Sequence, residues 1–199
     1  MSACIHLVRH CTTNDVGRVL TGRRAGVPLS AEGRAHATRV AQDIVARDSV
    51  AAIYTSPRQR TRETAEVIAD RLGLTVEVAE ALDEVDFGDW SGRSFAELDG
   101  DAEWRHWNAA RSRARAPGGE TMGEAVARVV AFVGSVAASR PAGPVMCVTH
   151  CDIIRGVIAH HLGLDLDRLL RFEVDPGSVS TIVVGDWGGK VTMVNRGCA

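Results

Sequence analysis

The chain has 199 residues, of which 45% are hydrophobic and 24% charged, and its formal net charge is −2 at pH 7. These values are typical of a soluble globular protein that buries a sizeable core. The charge excludes a general attraction to nucleic acid or to an anionic membrane surface, so an anion site must be a local cluster of basic residues. No run of about 20 apolar residues predicts a transmembrane helix.

The N-terminus and the cysteines favour a cytoplasmic protein. A predicted strand begins near Ala3 and is followed at once by the charged residue Arg9. The N-terminus lacks the basic segment and the small-residue cleavage site of a signal peptide. The five cysteines are Cys4, Cys11, Cys147, Cys151 and Cys198. Their odd number and spacing match neither a disulfide framework nor a C-x-x-C zinc site, so we expect reduced thiols and no structural metal.

Apolar segments of strand length alternate along the chain with amphipathic segments of helix length. The predicted strands are Cys4–Val8, Val50–Tyr54, Thr75–Val78, Val145–Thr149, Val179–Val184 and Lys190–Val194. The predicted helices are Ala31–Arg47, Gln59–Leu72, Thr121–Ala138 and Ile153–Leu162. This order predicts an α/β fold, a three-layer sandwich with a mostly parallel central sheet, whose last two strands form a hairpin through residues 186–189.

Local signals refine this prediction. Ser30 is the expected N-cap of the first helix, and Ser56-Pro57 is expected to supply the cap and first-turn proline of the second. Residues 85–119 are too long for a connector, so we predict a small helical lid inserted in a single domain of residues 1–199. Exposed tryptophans in this lid would be consistent with a homodimer. Two interpretations are open for its arginines from Arg105 to Arg115: they bind an anionic tail of a substrate, or, as the pattern favours, they lie on a solvated helix face.

Four separated segments carry chemically active side chains at predicted strand ends. Arg9 and His10 follow the first strand, and His150 follows the strand that begins at residue 145. Residues 55–64 lead from a strand into a helix and contain Arg60, and residues 82–92 contain Glu84. Ligands bind at the carboxyl ends of parallel strands, so these segments can meet at one edge of the sheet.

The side chains at this edge suit phosphoryl transfer. That reaction needs an in-line nucleophile, positive charge around the phosphoryl oxygens and a proton for the leaving group. A neutral imidazole is a nucleophile, and guanidinium groups match phosphate geometry. A carboxyl group carries the proton if burial or nearby negative charge raises its pKa.

The chain resembles the histidine phosphatase superfamily, in the branch of the cofactor-dependent phosphoglycerate mutases and their phosphatase relatives. Residues 7–10 match the motif L-V-R-H-G, 29–37 match L-[ST]-x-x-G-x-x-Q-A, 54–65 match S-P-L-x-R-A-x-Q-T-A, and 82–92 match L-x-E-x-x-x-G-x-W-x-G. Residues 117–121 and 148–150 match later blocks of the family. The matches follow the family's order over nearly the whole chain.

The resemblance implies a role for each matching residue. His10 would attack phosphorus and form a phosphohistidine, while Arg9 and Arg60 would hold the phosphoryl oxygens. His150 would donate to the transferring group. Glu84 would protonate the leaving oxygen and then activate water.

The resemblance also implies which residues contact the substrate and that the reaction uses no metal or other cofactor. Asn14, Thr21 and Gly22 fall in the loop that lines the substrate side in relatives. No metal and no other cofactor would be needed, because arginines and histidines supply the positive charge. The expected partner is a small phosphorylated substrate.

Departures from the family pattern favour a hydrolase. Val85 follows Glu84 where mutases carry an arginine, and the chain is shorter than typical mutases. The alternatives are a cofactor-dependent phosphoglycerate-type mutase and a non-catalytic module that binds phosphorylated ligands. Cys11 and Cys151 follow the two histidines, where they are interpreted as simple replacements of small residues. The alternative hypothesis makes them low-pKa thiolates open to oxidation or soft metals.

Overall fold

The computed structural model describes residues 2–139 and 141–198. Its strands are β1 (Ser2–Arg9), β2 (Ala52–Thr55), β3 (Val76–Val78), β4 (Val145–Thr149), β5 (Val179–Gly185) and β6 (Gly188–Arg196). They form one sheet with the order β3-β2-β4-β1-β5-β6. The first four of these strands pair in parallel, and β5 runs antiparallel to β1 and β6. Strands β5 and β6 form the predicted hairpin, with Gly185 opposite Gly188.

Helices cover both faces of the sheet. They are α1 (Ala31–Arg47), α2 (Gln59–Leu72), α3 (Phe95–Asp99), α4 (Ala102–Ala109), α5 (Met122–Ala138) and α6 (Cys151–Leu162). Leu7 packs with α5 and α6, whereas Val8 packs with α1 and α2, because successive strand residues point to opposite faces. The predicted three-layer sandwich is confirmed. Within the described residues, no helix has the length and apolar character needed to span a membrane.

Helix ends follow their capping residues. Helices α1 and α2 have the predicted bounds. The Oγ of Ser30 accepts from the backbone N–H of Gly33 at 2.9 Å, as expected for an N-cap. Helix α5 begins one residue later than predicted because Thr121 caps it in a capping box with Glu124. Helix α6 begins at Cys151, two residues before the predicted start.

The predicted cap of α2 is wrong. The N-cap residue is Arg58, which makes no side-chain capping bond, and Pro57 precedes the helix. The Oγ of Ser56 accepts from the backbone N–H of Arg58 at 3.3 Å. The same Oγ lies 2.7 Å from the Nε2 of His150. A tertiary contact to a histidine therefore sets the orientation of this serine.

The lid, residues 85–119, contains α3, α4 and a 3₁₀ turn at Gly88–Trp90. The rings of Trp104 and Trp107 stack with their centres 5.7 Å apart, and Trp90 meets Trp104 edge-on. All three tryptophans are buried, so the expectation of exposed lid tryptophans is wrong. Their rings bury each other within the main core cluster. The homodimer stays a prediction without that support.

We expect Gly33→Ala to destabilise the fold by about 1–3 kcal/mol, the range for forcing a methyl group into a packed site. A Cβ on Gly33 would lie 1.9 Å from the carbonyl oxygen of Thr12, a backbone atom that also accepts from the N–H of Ser30. Helix α1 would have to move away from the loop that follows β1. Urea denaturation measures the change in midpoint.

Gly134→Ala is the matched control. Gly134 lies inside α5, and none of the atoms of residues 2–139 and 141–198 lies within 4 Å of a Cβ built there. Alanine has the higher helix propensity, so this variant should gain up to about 1 kcal/mol. Equal stability of the two variants would contradict the packing argument.

Candidate active site

Strands β1 and β4 bring two histidines to one edge of the sheet. Arg9 pairs with Thr149 in register, so His10 and His150 are the next residue of each strand. The backbone N–H of His10 donates to the carbonyl of Thr149 at 3.0 Å. The two imidazole centres lie 5.4 Å apart. The convergence expected from the strand ends is therefore present for both histidines.

Hydrogen bonds define the tautomer of His10. Its Nδ1 lies 2.8 Å from the carbonyl oxygen of Cys11, and because a carbonyl only accepts, Nδ1 carries the proton. The Nε2 therefore presents a lone pair. The Nε of Arg60 donates to that lone pair at 3.2 Å. The unprotonated Nε2 of His10 thus faces a guanidinium group.

Arg60, in the first turn of α2, lies between the two histidines and is only 2% exposed. One terminal nitrogen, Nη2, donates to the carbonyl of Gly22 at 2.7 Å and to the Nδ1 of His150 at 3.0 Å. The other terminal nitrogen, Nη1, is buried and has no partner among the described residues. The Nε of Arg9 is buried without a partner in the same way. These open donors suit an anion.

His150 has the opposite tautomer. Its Nδ1 accepts from Arg60, so the proton lies on Nε2 and is donated to the Oγ of Ser56 at 2.7 Å. Ser56 in turn donates to the Oδ1 of Asp83 at 3.4 Å. This chain of contacts holds the ring with Nδ1 towards His10 and Arg60.

Burial keeps both imidazoles neutral. It lowers the pKa of His10 well below the ordinary histidine value, and the positive charges of Arg60 and Arg9 lower it further. Burial and Arg60 do the same to the pKa of His150. A neutral imidazole keeps the lone pair that nucleophilic attack requires.

Glu84 shows the opposite shift. Burial, followed by the negative charge of Asp152, raises the pKa of its carboxyl to about 8, although Arg60 acts against this. The Oε2 of Glu84 lies 3.9 Å from the Nδ1 of His150. A carboxyl group that holds its proton at neutral pH can serve as a general acid.

Charged side chains hold the backbone around Glu84 in place through hydrogen bonds. The Nε of Arg23 donates to the carbonyl of Glu84 at 2.8 Å, and Arg128 donates to the carbonyls of residues 81 and 83. One carboxylate oxygen of Glu120 accepts from both arginines, at 2.7 and 2.9 Å. The sequence pattern matched a family block at Glu120 but did not indicate this role.

The candidate residues open into a cavity of about 470 Å³. Its lining comprises Arg9, His10, Thr13, Val16, Gly17, Val19, Leu20, Thr21, Gly22, Arg60, Glu84, Phe87, Phe95, Trp104, Asn108, Arg111, Cys151, Asp152 and Arg155. His150 lies beneath this surface, fully buried. Of the three predicted substrate contacts, Thr21 and Gly22 line the cavity, while Asn14 is exposed outside it. The lid residues Phe95, Trp104 and Asn108 were not predicted as site residues, and for Arg111 a solvated helix face was the favoured interpretation.

The two thiols beside the histidines are not reactive thiolates. Burial raises the pKa of Cys11 to about 12 and that of Cys151 to about 11. The Sγ of Cys151 donates to the carbonyl of Val174 at 3.6 Å. The hypothesis of low-pKa thiols is therefore wrong, because desolvation outweighs the nearby arginines. Within the described parts of the chain, no three His, Cys, Asp or Glu side chains cluster as a metal site requires.

Comparisons with known proteins agree with this geometry. The sequence model of the histidine phosphatase superfamily (branch 1) matches residues 5–197. Phosphoserine phosphatase 1 of Hydrogenobacter thermophilus is 30% identical over 196 residues, which cover 96% of this chain and 92% of that protein. Glucosyl-3-phosphoglycerate phosphatase of Mycobacterium tuberculosis is 31% identical over 168 residues, 79% of this chain and 74% of that protein. The native structure of mycobacterial glucosyl-3-phosphoglycerate phosphatase superposes with a TM-score of 0.86 at 25% identity, covering 98% and 100% of the two chains.

We expect ¹⁵N NMR of the imidazoles to show a proton on Nδ1 of His10 and on Nε2 of His150. Both rings should stay neutral at about pH 6, below the ordinary histidine pKa of roughly 6.5, because burial and Arg60 disfavour the cation. A charged ring at that pH, or the same tautomer for both residues, would contradict the site geometry.

Proposed function

We propose a mechanism from the premise that this chain belongs to the histidine phosphatase superfamily, branch 1. The protein is a phosphatase that hydrolyses a small phosphorylated metabolite. The observation that carries the mechanism is the buried guanidinium group of Arg60. It contacts both His10 and His150, and one of its nitrogens has no partner in the part of the chain that the structure describes.

In the first half of the reaction, the Nε2 of His10 attacks phosphorus and the bond to the ester oxygen breaks. Arg9 and Arg60 hold the phosphoryl oxygens. The donation expected from His150 does not fit its tautomer in this structure, because its Nδ1 accepts from Arg60 and its Nε2 donates to Ser56. The phosphoryl oxygens are charged acceptors, so they draw the guanidinium of Arg60 away from its 3.2 Å bond to Nε2. Glu84 gives its proton to the leaving oxygen, which departs as an alcohol.

In the second half, Glu84 is a carboxylate and takes a proton from water. The water oxygen attacks the phosphohistidine, the P–N bond breaks, and inorganic phosphate leaves. His10 regains its lone pair, and the proton on Glu84 restores the starting state. Thr21 and Gly22 are proposed substrate contacts on the cavity wall, and the role of Asn14 stays a prediction.

We favour hydrolysis over phosphoryl transfer between substrates. Val85 is fully buried in the core, so the residue after Glu84 presents no cation to a second phosphate. A mutase would need a bisphosphate to phosphorylate His10, and stimulation by 2,3-bisphosphoglycerate would reveal it. A non-catalytic binding module would need none of the opposed pKa shifts of His10 and Glu84.

We propose further that the reaction needs no metal and that the chain works as a single domain of residues 1–199, of which Met1, Arg140 and Ala199 lie outside the described residues. The guanidinium groups of Arg9 and Arg60 supply the charge that a metal would otherwise bring. Support for the single domain comes from the lid, whose aromatic rings belong to the main core cluster. A cytoplasmic location and a homodimer stay predictions.

The first test compares the wild type with His10→Ala on p-nitrophenyl phosphate. Loss of the nucleophile should lower kcat by several orders of magnitude. The wild-type rate should not change in EDTA. Equal, slow hydrolysis by both proteins would favour the binding module, and loss of activity in EDTA would overturn metal independence alone.

The second test uses Glu84→Gln, which cannot exchange a proton. On an alkyl phosphate, kcat should fall by about 10²–10⁴-fold. On p-nitrophenyl phosphate the leaving group needs less protonation, so a burst of one nitrophenolate per enzyme should precede slow turnover. A linear time course without a burst would contradict the double role of Glu84.

The wild-type pH profile tests the same residue. Because the acid form of Glu84 is required and its pKa is raised to about 8, kcat/KM should decrease as the pH rises above about 8. Glu84→Gln should lack this limb. If kcat/KM of the variant decreased over the same pH range, the decrease would have to be assigned to another titrating group.

A further inference from the structure

The loop that precedes β5 holds Arg9 at three points. We call residues 174–178 the Arg9 loop. The backbone N–H of Arg9 donates to the carbonyl of Ser178 at 3.1 Å, and its carbonyl accepts from the N–H of Gly177 at 3.0 Å. The Nη1 of Arg9 donates to the carbonyl of Val174 at 2.6 Å. The Arg9 loop therefore fixes both the backbone and the guanidinium group of a proposed phosphate ligand.

The carbonyl of Val174 belongs to the same peptide group as the N–H of Asp175. The Oδ1 of Asn195 accepts from this N–H at 2.6 Å. The Nδ2 of Asn195 donates to the Oδ2 of Asp175 at 2.8 Å, which completes a reciprocal pair. A peptide group is planar, so its N–H and its carbonyl cannot turn independently. The contact at the N–H therefore sets the direction in which the carbonyl of Val174 meets Arg9.

Strand β6 is irregular at the point where it presents Asn195. Two of its residues, Val194 and Asn195, lie opposite the single residue Ser180, which makes a β-bulge. The N–H of Asn195 donates to the Oγ of Ser180 at 3.1 Å. Among the described residues, Asn195 is the only non-glycine residue with a positive φ, 56°. A bulge redirects a side chain, and asparagine tolerates this backbone region better than most residues. The bulge thus directs the amide of Asn195 to Asp175.

The guanidinium group of Arg9 is left with a defined donor for an anion. Arg9 lines the same cavity as His10 and Arg60. Its Nη1 is bound to Val174, while its Nε is buried and has no partner within the described chain. Because the guanidinium group is planar and rigid, a contact at Nη1 also orients Nε. Rotation of the peptide group between residues 174 and 175 would release both nitrogens.

We propose that Asn195 is a positioning residue for Arg9. It holds one peptide group, and the carbonyl of that group orients the guanidinium for the phosphoryl oxygens. This inference rests on the proposed function, because the role of Arg9 as a phosphate ligand belongs to it. Asn195 is not part of the cavity wall, so it acts through Arg9 and does not touch the substrate.

Asn195→Gly tests the role without straining the backbone, since glycine adopts a positive φ freely. On p-nitrophenyl phosphate, kcat/KM should fall by about 10-fold, and the inhibition constant of inorganic phosphate should rise by about 10-fold, the effect of one charged hydrogen bond. Thr192→Val is the matched control, because it removes a 3.2 Å bond from β6 to the carbonyl of Thr181. It should leave both constants unchanged. No change in Asn195→Gly, or equal changes in the two variants, would overturn the proposal.

A double-mutant cycle separates positioning from a general structural effect. In Arg9→Gln the guanidinium group is absent, so adding Asn195→Gly should change the phosphate inhibition constant by less than about 2-fold. A residue that only stabilised the fold would weaken phosphate binding by the same factor with and without Arg9. Equal factors in the two backgrounds would overturn the proposal.

Asp175→Ala provides a second route if Arg9→Gln does not fold. It removes the carboxylate that accepts from Nδ2 of Asn195 but keeps the backbone N–H that donates to Oδ1. Phosphate inhibition should stay within about 2-fold of the wild type, because the peptide group keeps its contact. A loss as large as that of Asn195→Gly would show that the pair only stabilises the Arg9 loop, and would overturn the proposal.

Two outcomes distinguish this inference from the proposed function. If Arg9→Gln weakens phosphate inhibition while Asn195→Gly matches the wild type, the positioning role fails and the phosphatase mechanism stands. If Arg9→Gln folds and binds inorganic phosphate as tightly as the wild type, the proposed role of Arg9 fails, and the role of Asn195 fails with it.

Discussion

The site depends on a buried positive charge with no direct counterion. Arg60 has no carboxylate within ion-pair distance among the described residues, and its polar contacts are a carbonyl and two neutral imidazoles. Removing a guanidinium group from water costs several kcal/mol unless an anion compensates. Burial accordingly lowers the pKa of Arg60. A phosphoryl group supplies the missing charge, so ligand binding relieves a cost that the fold carries in its absence.

The same charge sets the protonation states around it. Arg60 and burial both disfavour a second cation, which leaves His10 and His150 neutral. At Glu84, Arg60 favours the anion, but burial and Asp152 prevail. A neutral imidazole at His10 and a protonated carboxyl group at Glu84 therefore coexist at neutral pH. Opposed shifts of this kind separate the two roles in acid–base catalysis.

The sequence predicted most of the helices and strands and the functional residues that follow two of the strands. His10 and His150 follow buried strands, and the parallel sheet brings such ends together by geometry alone. Arg60 and Glu84 needed the family resemblance, which the comparisons confirm. Ser56 was misplaced as a cap because its partner, His150, is 94 positions away in the chain. The residues next to a serine in the sequence do not predict a contact with a residue so far away in the chain.

The positions of the lid's side chains were not predicted, for a related reason. Its arginines occupy positions that suggest a solvated helix face, but Trp107 and Asp152 draw Arg111 into the cavity wall. His10, His150 and Arg60 come from strand ends and the start of α2, whose positions the sheet determines. The ion pair of Arg111 with Asp152 joins the lid to α6. Substitutions in the lid can thus change what lies beyond the phosphate while Arg60 and its histidines keep their contacts. A fold that builds chemistry and selectivity from separate segments can change its substrate without changing its reaction.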